Sequence, residues 1–286
     1  MRNQKLNTSK MNEKIVIITG ANRGIGFAVA SELANSEDDL IIACRNVSEG
    51  QKAKEKIIKT SSNKNVYVFH LDLASFYSIR KFCEEFSNKF QRLDVLVNNA
   101  GVFTLDKEFT EDGLELTMGI NYFGTYLLTN LLLPYLQKSD NAKIINVVSD
   151  AFKKGKINVN NFEKNQTTGM KAYSTSKLAL VQFTAYLAEK LEHTNISVNA
   201  IHPGHINSGI WNFNKWYAPL FRLFSKAFMS SIVDGAKPIV HRVLSENGKK
   251  ITGKYFKKEK EEEIEKMDIE DLSKLWNRTR KIVGLV

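Results

Sequence analysis

Three tyrosines in this sequence are followed four residues later by a lysine: Tyr77 and Lys81, Tyr173 and Lys177, Tyr186 and Lys190. On a helix that spacing puts both side chains on one face. A phenol alone, with a pKa near 10, is a poor base at neutral pH. An ammonium beside it favours the phenolate, which makes the phenol a usable proton donor and acceptor. Such pairs also arise by chance in a chain with nine tyrosines and many lysines, so position has to choose among them. A second feature points to phosphates. Ile15-Val16-Ile17-Ile18-Thr19 runs into Gly20-Ala21-Asn22-Arg23-Gly24-Ile25-Gly26, after which Phe27, Ala30 and Leu33 open a helical pattern. Gly20 permits the tight turn, Gly24 leaves room for a pyrophosphate against the backbone, and Gly26 lets helix and strand pack closely. Phosphates would then sit at the helix N-terminus.

From about residue 14 to residue 203, short apolar runs alternate with longer stretches of helical period, the pattern of repeated βα units around a parallel sheet. The strand-like runs are Lys14–Thr19, Leu40–Arg45, Val66–Leu71, Leu93–Asn98, Lys143–Val148 and Ser197–His202. Their Val/Ile/Leu density suits strands covered on both faces. After Ser75, which can cap a helix, Phe76, Ile79, Phe82, Phe86 and Phe90 recur at three- and four-residue spacing. The expected fold is α/β: a doubly wound Rossmann-type parallel sheet of about seven strands with helices on both faces. A single domain is expected over residues 14–286, after a polar N-terminal extension at 1–13, with the tail beyond about residue 204 completing the sheet. Within this frame Tyr77 falls in the helix after the third strand and reads as a surface residue. Tyr186 lies roughly 20 Å beyond Tyr173 along one helix and cannot share its site. Tyr173 begins a helix shortly after the fifth strand, at the carboxyl edge where open α/β sheets bind ligands.

Composition supports a packed globular protein: 286 residues, 43% hydrophobic and 25% charged, with 4 Pro and 16 Gly. The most apolar stretch, Leu127 to Leu136, is broken by Thr129, Asn130 and Pro134, which argues against a spanning helix. The Asn- and Lys-rich start, Met1 to Lys14, lacks the apolar core of a secretory signal. Cys44 and Cys83 cannot make a disulfide framework, and no Cys/His pairs stand at zinc-ligand spacing, so a cytoplasmic protein without a structural metal is expected. The formal charge of +10 is unevenly placed: residues 259–271 hold eight acids against two lysines, and the rest is more basic still. Such a bias suits an anionic membrane surface or phosphate-rich ligands; with no nucleic-acid-binding fingerprint, nucleic acid is not an expected partner.

The Gly-x-x-x-Gly-x-Gly spacing resembles that of the short-chain dehydrogenase/reductase family, and further segments extend the resemblance in order along the chain. Asn98-Asn99-Ala100-Gly101 matches the motif that closes that family's fourth strand. Asp72, followed by Leu73, matches the acid that touches the adenine. Asn121 in Gly119-Ile120-Asn121-Tyr122 matches the helix asparagine, and Ser149 the serine ending the fifth strand. Tyr173-Ser174-Thr175-Ser176-Lys177 matches the Tyr-x-x-x-Lys signature. Pro203-Gly204 follows the sixth strand, with Ser208 where the family usually has a nicotinamide-contacting threonine. Gly253-Lys254-Tyr255-Phe256, Leu275-Trp276 and Val283-Gly284-Leu285 look like the retinol dehydrogenase-type branch.

The resemblance implies an oxidoreductase that uses NADP(H) to interconvert an alcohol and an aldehyde or ketone by hydride transfer. Tyr173 would act as general acid in reduction and base in oxidation, with Ser149 hydrogen-bonding the substrate oxygen. Lys177 would favour the phenolate and hold a ribose hydroxyl, and Asn121 would anchor a water that passes protons from Lys177 to solvent. The expected cofactor-binding residues are Gly20, Asn22, Arg23, Gly24, Ile25, Gly26, Arg45, Asp72, Leu73, Asn99, Ala100, Gly101, Tyr173, Lys177, Pro203, Gly204 and Ser208. NADP rather than NAD follows from the end of the second strand, Ala43-Cys44-Arg45-Asn46, which lacks the acid that would bind a ribose 2′-hydroxyl and repel a 2′-phosphate. Arg45 and Arg23 would clamp that phosphate from two sides. The alternative is a catalytically silent NADP-binding sensor or scaffold.

Two departures from the family pattern carry expectations of their own. The interval between Ser149 and Tyr173 is much longer than in many members, so Asp150 to Met170 should form a loop beside the substrate mouth. Asp150 stands where a small or apolar residue is expected: facing the pocket it would disfavour anionic substrates, and capping a turn it would not. Between Glu192 and Asp234 there is no acid, while Trp211, Phe213, Trp216, Tyr217, Phe221, Phe224 and Phe228 crowd together with Lys215, Arg222 and Lys226. This segment, 205–232, is expected to be a lid over a lipophilic substrate, and it would also suit peripheral contact with an anionic membrane. Pairing into a homodimer through long helices stays open, since the resembled branch includes monomers.

Overall fold

Among the described residues eight strands make one sheet in the order β3-β2-β1-β4-β5-β6-β7-β8. They are β1 (Ile15–Thr19), β2 (Asp39–Cys44), β3 (Val66–His70), β4 (Val95–Asn98), β5 (Ala142–Val147), β6 (Ile196–His202), β7 (Lys254–Lys257) and β8 (Lys260–Glu263). The computed structural model of the protein describes residues 13–164, 167–204, 231–245 and 251–285. The first seven strands pair in parallel and β8 returns antiparallel on β7, with Lys254 opposite Glu263 and Phe256 opposite Glu261. The sheet thus has one strand more than the seven or so expected from the sequence. The additional strand, Lys-Glu-Glu-Glu, lies inside the acidic run and has no apolar alternation to betray it. Lys254 on β7 pairs with Glu263 and Glu261 across the ladder, and the charged rim discourages another chain from adding to this edge.

The helices are α1 (Gly24–Leu33), α2 (Val47–Thr60), α3 (Phe76–Lys89), α4 (Leu116–Met118), α5 (Thr125–Leu136), α6 (Gly169–Lys190), α7 (Ile232–Leu244) and α8 (Ile269–Ile282), with a π-helical stretch, Gly119–Gly124, joining α4 to α5. Alternate residues of β1 feed two cores: Ile15 and Ile17 pack beneath α3, α5, α6 and α8, and Val16 and Ile18 beneath α1, α2 and α7. Burial on both faces explains why the central strands read as continuous apolar runs. Ser75 caps α3 by accepting from the Ser78 amide at 3.3 Å, and Ile79, Phe82 and Phe86 turn inward at helical spacing.

The C-terminal helix α8 lies on the outer face of α5 and α6. Trp276 stacks on Phe183 at 5.8 Å and meets Tyr126 edge-on at 5.0 Å. Trp276→Ala should therefore cost about 3–5 kcal/mol of unfolding free energy, the usual range for an emptied aromatic core position. Denaturant melts of the variant should show that loss while cofactor affinity stays unchanged; a fall in affinity without a stability loss would contradict this packing role. Among the described residues no helix is long and apolar enough to cross a membrane.

Candidate active site

The sheet order reverses between β1 and β4, and a cleft of about 640 Å³ opens there at the carboxyl ends of the strands, the switch point where such sheets bind ligands. Thr19, the last residue of β1, welds two turns together. Its Oγ1 accepts from the amides of Asn99 at 3.0 Å and Ala100 at 2.9 Å, and Asn99 Nδ2 donates to the Thr19 carbonyl at 2.8 Å. Gly20 and Gly24 take positive φ values of 67° and 59°, which side chains resist. A Cβ at Gly26 would stand 2.5 Å from Asn99 Nδ2 and 2.7 Å from the Gly20 carbonyl, so a side chain there would push α1 off the sheet. Arg23 precedes α1 without a side-chain cap, leaving its first amides for an anion.

At the far end of the cleft stand Arg23, Arg45, Asn46 and Glu49. Asn46 accepts from the Glu49 amide at 3.0 Å and caps α2, while the Glu49 carboxylate is held by Lys52 at 2.7 Å. Cys44 also borders this end; burial, partly offset by a hydrogen bond with the Gly50 backbone, pushes its thiol up to about 11, so it is no thiolate at neutral pH. Asp72 and Leu73 line the wall, with Asp72 Oδ1 accepting from the Ala74 amide at 2.9 Å.

The near end gathers Ser149, Tyr173 and Lys177. Ser149 ends the β5 segment and accepts from the Ala151 amide at 3.3 Å. Tyr173 sits in the first turns of α6, 5.6 Å edge-on from the Phe103 ring. Burial pushes its phenol up to about 12, against a hydrogen bond with Ser149 that pulls the other way. Lys177, one turn later, donates from Nζ to the Val147 carbonyl at 2.9 Å and stands 5.8 Å from the Tyr173 ring centre. Burial pulls its ammonium down to about 8 from an ordinary 10.5.

A basic group whose folded pKa is depressed below its unfolded value destabilises the fold wherever it must stay protonated. Lys177→Met should therefore raise stability by up to about 3 kcal/mol below pH 8, with the gain shrinking as pH climbs toward 10.5. Denaturant melts at pH 7 and pH 10 check this, and a variant less stable than the parent at pH 7 would contradict it.

Asn121 lies behind the cleft wall, inside the π-helical stretch, a distortion that recurs at functional sites. Its Oδ1 accepts from the Val102 amide at 2.8 Å, and its Nδ2 donates to the Val102 carbonyl at 2.9 Å and to Ser176 Oγ at 3.1 Å. Both hydrogens of its amide nitrogen are thus engaged, and its Oδ1 already accepts one bond. Gly101 fills the gap in front: a Cβ there would stand 3.2 Å from Asn121 Oδ1 and 3.5 Å from Lys177 Nζ.

Of the residues singled out from sequence, Gly20, Asn22, Arg23, Gly24, Ile25, Arg45, Asp72, Leu73, Asn99, Ala100, Gly101, Ser149, Tyr173, Lys177, Pro203 and Gly204 line this one cleft. Gly26 and Asn121 support it from behind. Ser208 and nearly all of the expected lid lie outside the described residues. Tyr77 is 75% exposed on α3, and Tyr186 packs on Trp276 at 5.2 Å; neither borders the cleft. Thr19 and His202 do border it and were not singled out. Each is a strand's last residue beside a glycine or proline turn, a position that could have marked them. The segment after Ser149 is bound to the body rather than free: Phe162 stacks on Phe123 at 5.4 Å, and Glu163 pairs with Arg278 of α8. Asp150 neither lines the cleft nor merely caps a turn; its carboxylate reaches across to β7.

Fold and cleft together define a Rossmann-type α/β protein with its main cleft at the switch point. The family model for short chain dehydrogenases matches residues 14–217, and the chain belongs to that family of oxidoreductases. It is 37% identical to retinol dehydrogenase 14 of Mus musculus over 292 residues, covering 96% of this chain and 87% of that protein. It is 38% identical to retinol dehydrogenase 12 of Homo sapiens over 276 residues, covering 95% and 87%. Among solved structures, an uncharacterized protein from Mycobacterium paratuberculosis superposes with a TM-score of 0.74 at 26% identity, covering 95% of this chain and 93% of the other. The Pseudomonas aeruginosa RhlG/NADP active-site complex superposes with a TM-score of 0.68 at 25% identity, covering 85% and 94%.

Proposed function

We propose that this protein is an NADP(H)-dependent dehydrogenase/reductase that interconverts a lipophilic alcohol and its aldehyde or ketone, with Tyr173 exchanging the proton. The observation that carries the reading is the cleft's polarity: Tyr173, Ser149 and Lys177 converge at one end, and Arg23 and Arg45 stand at the other with no acid at the end of β2. The uncapped N-terminus of α1 and the glycine-built turns fit a pyrophosphate between them. The related RhlG structure, described as an NADP complex, supports the choice of cofactor, and the relatives named retinol dehydrogenases support a retinoid-like substrate.

When bound, the nicotinamide supplies or accepts the hydride. Ser149 and Tyr173 present hydroxyls to the substrate oxygen, and in reduction the Tyr173 O–H donates its proton to the developing alkoxide. The Lys177 ammonium favours the phenolate left behind. Asn121, clamped to Val102 and Ser176, fixes the backbone beside Lys177 from which a water would return the proton.

The direction of the pH dependence follows. Reduction needs the protonated phenol, which burial favours, and oxidation needs the phenolate. Alcohol oxidation should therefore accelerate with rising pH from 7 to 10, while carbonyl reduction stays level or falls; the opposite pair of slopes would exclude Tyr173 as the proton carrier. A panel of retinoids, steroids, quinones and small aldehydes, followed by cofactor absorbance with NADPH and NADH, tests the whole reading. Turnover of a long apolar aldehyde with NADPH is the expected outcome.

A further inference from the structure

The chain leaving β5 at Ser149 is bolted down one residue later, and to a strand two places away in the sheet. Asp150 Oδ1 accepts from the Tyr255 hydroxyl at 2.5 Å and Oδ2 from Lys257 Nζ at 2.7 Å, both on β7. His202 Nε2, on the last residue of β6, stands 3.7 Å from the same carboxylate, and Lys153 Nζ 3.8 Å from it. Phe152 adds an edge-on contact with the Tyr255 ring at 5.2 Å. Burial works against the charge, but Lys257, Tyr255 and His202 outweigh it and hold the carboxyl at about 2, so Asp150 is ionised at any working pH.

The far end of the short turn has its own anchor. A Cβ at Gly155 would stand 2.5 Å from the Ser174 carbonyl, so the turn Asp150–Lys154 ends in close contact with α6. Between the two anchors the backbone has little freedom, and Ser149 sits immediately before the first. Without Asp150 the turn would keep its ring contact with Tyr255 and its close approach at Gly155, but Ser149 would lose the polar tie nearest to it. Its hydrogen bond to Tyr173 would loosen.

We propose that Asp150 is a positioning residue for the reaction: by tying the turn after β5 to Tyr255 and Lys257 of β7, it fixes Ser149 against Tyr173. Tyr255, part of the Gly253-Lys254-Tyr255-Phe256 segment that resembles the retinol dehydrogenase-type branch, acquires the role of receiving that tie. The inference rests on the reading of Ser149 as the group that holds the substrate oxygen.

The test is a double-mutant cycle on turnover. Asp150→Ala should lower kcat about 10- to 100-fold, the scale of an ångström-sized misplacement of a catalytic group, with KM for the cofactor changed less than about twofold. Asp150→Asn keeps an acceptor for Tyr255 and should recover much of the loss. Tyr255→Phe should lower kcat in the same sense and add little on top of Asp150→Ala. In a Ser149→Ala background Asp150→Ala should cost nothing further, because the group it positions is gone. Effects of Ser149→Ala and Asp150→Ala that multiply, or a melting-temperature drop with kcat intact for both Asp150→Ala and Tyr255→Phe, would overturn the proposal. Unchanged turnover in Ser149→Ala alone would overturn the reading of Ser149 itself, a separate outcome.

Discussion

Tyr173→Phe should lower turnover by about 10²–10⁴, the usual worth of a general acid–base group, while the protein still folds and binds NADPH. The substitution keeps the ring that packs edge-on against Phe103 and removes only the hydroxyl that bonds Ser149. Losing that buried polar group should leave the melting temperature close to that of the parent. Lys177→Ala should reduce both turnover and cofactor affinity, because its ammonium lies in the cleft and next to the phenol. Tyr186→Phe serves as the internal control: that residue carries the same spacing to a lysine, yet it packs on Trp276 outside the cleft. Stopped-flow and steady-state rates for the three variants decide the matter. Activity lost in Tyr186→Phe and kept in Tyr173→Phe would invert the assignment.

Arg45→Asp should reverse the cofactor preference. A charge-assisted hydrogen bond contributes about 1.5–3 kcal/mol, so losing the arginine alone should weaken NADP(H) by about 10- to 100-fold. The new carboxylate would repel a 2′-phosphate and could accept from a ribose 2′-hydroxyl, as acids at this strand end do. NAD(H) affinity should therefore rise while NADP(H) affinity falls. Arg23→Ala should weaken NADP(H) without improving NAD(H), since no acceptor is gained. Glu49 borders the same end of the cleft, but Lys52 holds its carboxylate. Binding isotherms for both cofactors check the pair of variants, and an Arg45→Asp protein that still prefers NADP(H) would remove Arg45 from the clamp.

The parts of the fold that could be read in advance are those whose signal is local. Strands β1, β2, β4, β5 and β6 stand out because burial on both faces leaves apolar runs, and the partly buried β3 because its residues are β-branched and aromatic. The α3 stripe stands out because one face alone is buried. The glycine turn is readable because its positive φ values and close contact with Asn99 demand the residue type. β8 was not legible, since a solvent-facing edge strand of lysine and glutamate has no periodic pattern to show. Thr19 and His202 were overlooked because what makes them part of the cleft comes from neighbouring strands rather than from their own segments. Asp150 could be flagged as unusual, but the direction of its side chain is set by Tyr255, 105 residues downstream. The aromatic stretch at 205–232 is plain in the sequence, and all of it but residues 231–232 lies outside the described residues.

Hydride transfer from NADPH to a lipophilic carbonyl, with the proton from Tyr173, is the central claim. The most direct measurement supplies NADPH deuterated at the transferring carbon of the nicotinamide together with an apolar aldehyde such as retinal, and follows the alcohol by mass spectrometry. One deuterium per alcohol molecule, formed in step with NADPH consumption and suppressed in Tyr173→Phe, is the predicted result. NADPH bound but not consumed, or an alcohol formed without the label, would contradict it.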